Sequence, residues 1–266
     1  MMTAMDGGDS ASSGSDILSS MRAFRAARTE AVANVKNAQH LCQREVQRSQ
    51  WNPYSFEGGS VAAVAGKDFV VIVADTRMTQ FDVNILTRES DKIHILNENV
   101  ALVTVGFQGD VLQMKRLLQA RMANYLFDYR AEMSADLVSQ MLARNLYYRR
   151  FFPYFTGAIL AGIDESGDGA VYSYDPVGMI EKVPFAVSGT ASSMIEPFFD
   201  GQIGWKTQDA SVQAPPVLSV ERALSVAKDA FRMATERDTS TGDRLNVLVL
   251  SAGKPPLKQQ IMLRED

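Results

Sequence analysis

Cysteine is nearly absent from this chain of 266 residues: Cys42 is the only one. A lone cysteine cannot form an internal disulfide, so the fold holds without covalent cross-links, which suits a reducing compartment such as the cytoplasm or nucleus. Histidine is almost as scarce, with only His40 and His94. With no histidine near a candidate nucleophile, a Ser-His-Asp or Cys-His mechanism lacks its base. No pair of cysteines and no HExxH spacing suggests a zinc site, and no metal or other cofactor is expected. No apolar run approaches the roughly 18 residues of a membrane span. The net charge of −4 encodes no strong pull toward nucleic acid or a membrane surface.

What is present is hydrophobic and well punctuated. With 46% hydrophobic and 22% charged residues, a chain of this length buries roughly 70–75% of its unfolded surface as one large domain. Residues 1–20 are rich in Ser, Gly and Asp, and residues 17–48 show weak helical periodicity. We read 1–49 as a disordered or weakly helical leader that is removed, and 50–266 as the folded domain, beginning near Trp51. The acidic residues Asp6, Asp9, Asp16 and Glu30 argue against a mitochondrial presequence.

From there the pattern alternates between strands and helices in blocks. SVAAVA and FVVIVA flank a Gly-Lys-Asp turn, and KIHIL and NVALVTVGF form a second hairpin. Two helices follow, one over 110–130 with an apolar stripe, the other capped by Ser134 and running to Phe152 before Pro153. Strands return over 155–164, 170–176, 178–183 and 185–189. A short helix, limited by Pro197, comes next, then a helix over 219–238 capped by Ser219. Strands at 244–250 and, more briefly, 259–263 end the chain. Antiparallel strands in two groups, each followed by a helix pair, predict two stacked sheets covered on both outer surfaces by helices. Nearly unbroken apolar strands such as FVVIVA agree with sheets buried on both faces.

The polar residues left over for chemistry are few. Asp164, Glu165 and Asp168 cluster in a turn and read as solvated. The glycines of GGSVAAVAG do not open a helix, which argues against a phosphate loop. Gly59, Ser60, Asp75, Lys92, Ser188, Asp238 and Thr241 remain.

The strings GGSVAAVAGKDFVVIVADTR, TRESDKIHIL, RRFFPYFTGAILAGIDESGDGAVYSYDPVG, SGTASSMIEP and ERDTSTGD resemble the beta subunits of the 20S proteasome core, most closely the non-catalytic member at the sixth position of the seven-membered beta ring. The likeness runs from about Trp51 to the end of the chain. It implies an α+β fold, the four-layer αββα sandwich of N-terminal-nucleophile hydrolases. In catalytic members a threonine freed by leader removal attacks the scissile carbonyl with its own α-amino group as base.

Carried over position by position, the nucleophile falls on Gly59, which has no oxygen. Asp75 and Lys92 match the acid and lysine beside it, with one extra residue between them. Ser188 and Asp238 match a supporting pair, and Thr241 stands where a serine is usual. The resemblance thus implies remnants without an intact catalytic set. Asp75 with Lys92 then anchors the hairpin mouth, and Ser188 and Asp238 brace turns. It also implies partners: other alpha and beta subunits in a four-ring, twenty-eight-subunit cylinder, with polypeptides in transit inside.

Two alternatives stand beside this reading. One is an active hydrolase using Ser60, although strand alternation should aim that hydroxyl away from Asp75 and Lys92. The other is a free-standing binding module on the same fold. Residues 202–216, poor in core-forming side chains, are a candidate contact element.

Overall fold

The computed structural model describes residues 54–80, 83–205 and 217–264, with a few helical positions between 19 and 30. The leader and its boundary at Trp51 lie almost entirely outside the described residues, as does the 206–216 part of the candidate contact loop. From Tyr54 onward the chain forms one compact unit.

That unit contains twelve strands and four helices among the described residues. β1 (Ser60–Ala65) and β2 (Phe69–Asp75) form the opening hairpin, with Val61 opposite Ala74. A short hairpin of β3 (Met78–Gln80) and β4 (Asn84–Thr87) follows. β5 (Ile93–Asn97) and β6 (Val100–Gly106) lead into α1 (Gln108–Tyr129) and α2 (Ala135–Tyr148). β7 (Thr156–Ile163), β8 (Gly169–Tyr174), β9 (Ile180–Val183) and β10 (Phe185–Gly189) come next. α3 (Ser192–Gln202), α4 (Val220–Arg237), β11 (Arg244–Ser251) and β12 (Lys254–Met262) complete the order.

The strands make two five-stranded antiparallel sheets, ordered β10-β1-β2-β11-β12 and β5-β6-β7-β8-β9. Period-two alternation assigns each strand residue to one of two interfaces. In β2, Val70, Ile72 and Ala74 enter the core between the sheets, where they join Val103, Ile159 and Leu248. Val71 and Val73 face the other way, onto Phe199 of α3 and Ala227 and Phe231 of α4. On the second sheet, Leu102 and Leu160 pack under Met114 and Leu118 of α1 and Leu142 of α2. The result is the helix–sheet–sheet–helix sandwich that the element order predicts.

Local chemistry sets the helix ends. The Ser134 hydroxyl accepts from Leu137 N at 3.4 Å and the Ser219 hydroxyl from Arg222 N at 3.2 Å, satisfying orphan amides at the starts of α2 and α4. α1 has no such side chain at its own cap; instead Glu57, ahead of β1, accepts from Gln108 N at 2.8 Å.

Three expectations are corrected, and one element was not anticipated. α2 ends at Tyr148 and not at Phe152, because Arg149 (φ −101°, ψ 23°) leaves helical geometry and the chain turns before Pro153. α3 runs eleven residues straight through Pro197. A proline forfeits one backbone bond, and burial of Ile195 and Phe199 in the outer core offsets it. β12 is nine residues long, not a short terminal strand, and tolerates Pro255 and Pro256 because it pairs only with β11 at the sheet edge. The β3–β4 hairpin went unread, since Met78–Gln80 is too short for alternation to register. Among the described residues, no helix is long and apolar enough to cross a membrane.

Candidate functional site

Gly59 stands at the head of β1 with φ +84°, a left-handed conformation that glycine adopts at little cost. Opposite it, β2 ends on Asp75, which is completely buried. Lys92 comes from the other sheet, just ahead of β5, and its side chain crosses to the same point. Its Nζ donates to Asp75 Oδ1 at 2.5 Å and to the Arg77 carbonyl at 2.6 Å. Only 6% of Lys92 is exposed. Despite the extra residue in the intervening loop, the lysine therefore reaches the aspartate.

Asp75 is the organising acceptor. Besides Lys92, it takes Ser60 N at 2.8 Å on Oδ1, and Gly242 N at 3.1 Å and Arg77 N at 3.2 Å on Oδ2. Every neighbour donates, which demands an ionised carboxylate. Burial pushes the Asp75 carboxyl above its ordinary value, while the Lys92 charge and hydrogen bond, with the Ser60 and Gly242 amides, pull it back down. Burial likewise depresses Lys92, opposed by Asp75. Each charge thus owes its place to the other.

The space beside Gly59 is occupied. A Cβ built there would lie 1.8 Å from Lys92 Nζ, 2.8 Å from Asp75 Oδ1 and 2.9 Å from Lys92 Cε. The ammonium sits where a side chain would begin.

A second polar cluster lies beyond Ser60. Ala191 N donates to Ser60 Oγ at 2.9 Å, and Ser60 Oγ lies 2.8 Å from Thr241 Oγ1. Thr241 donates to Asp238 Oδ2 at 2.6 Å, so its oxygen accepts from Ser60. Thr190 donates to the same Asp238 oxygen at 2.5 Å, and its backbone N–H donates to the Gly59 carbonyl at 3.0 Å. Ser60 therefore directs its hydroxyl proton toward Thr241 and Asp238, on the side opposite Lys92. Its backbone N–H donates to Asp75 Oδ1.

Ser188 is not part of this cluster. It follows Ala186 by two residues, and Ala186 belongs to the core between the sheets. Its Oγ points the same way: a Cβ added to Gly157 of β7 would come within 2.2 Å of it. Thr190, just past the end of β10, supplies the hydroxyl that Asp238 holds. Strand alternation gives 188 and 190 the same parity, and only the departure of the chain from the strand at Gly189 separates their roles.

Arg77 is the residue that sequence reasoning missed. Its Nε donates to Asp243 Oδ2 at 2.8 Å and its Nη1 to the Thr239 carbonyl at 2.9 Å, clamping the 238–243 loop over β2. Its position directly after Asp75-Thr76 was a usable signal. His94 is buried on β5; burial, aided by Lys115, lowers its pKa to about 4, so it is neutral at pH 7. Asp164 spends its carboxylate on the Ser166 and Asp168 amides and on Lys182. Among the described residues no group of three or more His, Cys, Asp or Glu side chains is placed to hold a metal.

A hairpin whose mouth carries a buried lysine–aspartate pair, in a sheet stacked on a second sheet between helix layers, defines a class, and comparison with known sequences agrees. The profile of the family described as Proteasome subunit matches residues 55–250, and the chain belongs to that family. The family assembles from alpha and beta subunits into the 20S core, and these are this chain's partners. More particularly, the chain is 52% identical to the proteasome subunit beta type-1 of Caenorhabditis elegans over 246 residues, 92% of this chain and 94% of that protein. It is 40% identical over 218 residues to the beta type-1 subunit of Danio rerio, covering 82% and 90% of the two chains. Against that of Arabidopsis thaliana it is 38% identical over 227 residues, covering 83% and 99%.

Proposed function

We propose that this chain is a non-catalytic, structural beta subunit of the 20S proteasome core, at the sixth position of the beta ring. It builds the wall of a chamber in which other subunits cut unfolded and ubiquitin-tagged polypeptides. One observation carries the reading: the position equivalent to the nucleophile is Gly59, and the Lys92 ammonium fills the space its side chain would need. Covalent catalysis of the family's kind needs a hydroxyl at that point, and glycine carries no side chain at all. The neighbouring hydroxyl, Ser60, is committed to Thr241 and Ala191 N, which weighs against an active serine enzyme. Similarity to beta type-1 subunits across almost the whole chain weighs against a free-standing module.

Residues 1–49 are a leader. Because Gly59 cannot cleave its own chain, a neighbour's active site trims it and leaves a short tail ahead of Gly59. The working compartments are cytoplasm and nucleus. Treating the assembled particle with an electrophilic peptide probe and mapping adducts by mass spectrometry tests the central point. Adducts are expected on other chains only, and one on Ser60 of this chain overturns the proposal. The intact mass of the same subunit is expected to show residues retained before Gly59, and a mature chain starting at Ser60 counts against the reading.

A further inference from the structure

The two most distinctive strings of the sequence, RRFFPY and AVYSYDPVG, have no part in the Gly59 site, yet the fold brings them together. RRFFPY is the turn that follows α2. The end of AVYSYDPVG is the turn between β8 and β9, and it is pressed against the last two turns of α2. A Cβ on Gly178 would lie 2.4 Å from the Ala143 carbonyl and 3.0 Å from Tyr147 N, so only glycine lets the turn approach this closely. Asp175 holds the turn rigid, accepting from Met179 N at 2.6 Å and Val177 N at 3.1 Å.

What this builds is an exposed apolar platform. Tyr147, Tyr148, Phe151, Phe152, Val177 and Met179 all face outward, with Tyr148 90% and Phe151 91% exposed. Between the α2 end and the turn lies a cleft of about 560 Å³. Contiguous exposed aromatic surface of this kind marks a contact site in a soluble protein. Tyrosine, phenylalanine, methionine and arginine are also the residues that interface cores favour.

The platform is already ordered. Arg150 lies over both Tyr147 and Phe151, 5.2 and 5.0 Å from the ring centres, and donates to the Tyr147 hydroxyl at 2.7 Å. Arg149 lies 4.6 Å from the centre of the Tyr154 ring. Arg144 lines the cleft one helical turn back. A guanidinium stacked on a ring keeps its in-plane N–H groups free to meet a carboxylate. Two cations at the edge of this aromatic surface, Arg144 and Arg150, select a partner of complementary pattern, apolar at its centre and acidic at its margin.

We propose that this platform is a principal contact of the chain with one neighbouring subunit of the core, and that the neighbour's segment is apolar and flanked by Asp or Glu. The proposal rests on the reading of the chain as a core subunit. Preorganised rings and stacked arginines lose little side-chain freedom on binding, which favours tight association.

The test uses the full-length chain, tagged, expressed in its own cells and fractionated by size. A photo-reactive phenylalanine analogue in place of Tyr148 preserves an aromatic at a fully exposed position. It is expected to cross-link, within the large particle, to one other subunit through an apolar peptide bearing acidic residues. The double variant Y148D/F151D is expected to lower the fraction of the chain in that particle at least tenfold, whereas Y148F/F151L, which keeps the apolar surface, is expected to assemble normally. Particle-borne chain that cross-links to nothing, or cross-links through a basic segment, overturns the platform while leaving the subunit reading intact. Wild-type chain absent from any large particle overturns both.

Discussion

Restoring an oxygen at residue 59 is the most direct challenge to the structure. In Gly59→Thr the new Cβ would fall 1.8 Å from Lys92 Nζ and 2.8 Å from Asp75 Oδ1, at φ +84°. The backbone conformation alone costs about 1–3 kcal/mol for a residue with a side chain, most for a β-branched one. Lys92 must then withdraw by more than an ångström. Its bonds to Asp75 and the Arg77 carbonyl, 2.5 and 2.6 Å long, hold it against that movement. A complete break would leave Asp75 buried without its counter-charge, a loss of about 3–5 kcal/mol, and a partial shift a fraction of that. A total destabilisation of about 3–5 kcal/mol is expected, read as a fall in the thermal midpoint of about 2–4 °C per kcal/mol for a domain of this size. The assay pairs thermal unfolding with fluorogenic-peptide turnover and probe labelling of the variant subunit. Gly59→Ala isolates the steric component and should lie within about 1 kcal/mol of the threonine variant. In a Lys92→Met background the methyl of Gly59→Ala meets no ammonium, so its cost should shrink by about 1 kcal/mol or more. A Gly59→Thr chain that is as stable as wild type, or that labels and turns over peptide, would refute the claim that Lys92 occupies the nucleophile's space.

Other outcomes follow from the same geometry. Lys92→Met should cost about 3–5 kcal/mol in urea unfolding, since it strands a buried carboxylate; a loss below 1 kcal/mol would mean Asp75 finds water. Thr190→Val removes a hydroxyl that donates to Asp238 and should cost about 1–2 kcal/mol, whereas Ser188→Ala should change stability by less than about 0.5 kcal/mol; the reverse ranking would restore Ser188 to the site. The His94 imidazole has its folded pKa lowered from 6.5 to about 4. Below about pH 6.5 the unfolded chain takes up a proton that the folded chain refuses, so stability is lost as pH falls from 6.5 toward 4, by about 3 kcal/mol in all. His94→Gln should flatten that part of the pH profile, and an unchanged slope would show that other groups carry it.

The sequence carried the architecture because burial writes itself into period. FVVIVA is apolar at every position since both faces of β2 are covered, and Ser134 and Ser219 announce helices because orphan amides need an acceptor nearby in the chain. A short hairpin at 78–87, a helix through Pro197 and an edge strand through Pro255 and Pro256 left no such mark, since each is held by packing or edge position and not by local preference. Gly59 itself was legible: the missing oxygen is a fact of composition. What local pattern cannot express is where a long side chain lands. Lys92 leaves one sheet and ends against the other, filling the space beside Gly59, and Thr190, not Ser188, reaches Asp238 once the chain leaves β10. Those choices depend on how two sheets stack and where a strand ends, distances set by the assembled core; alternation along one strand fixes a side chain's face but not its neighbours across the gap.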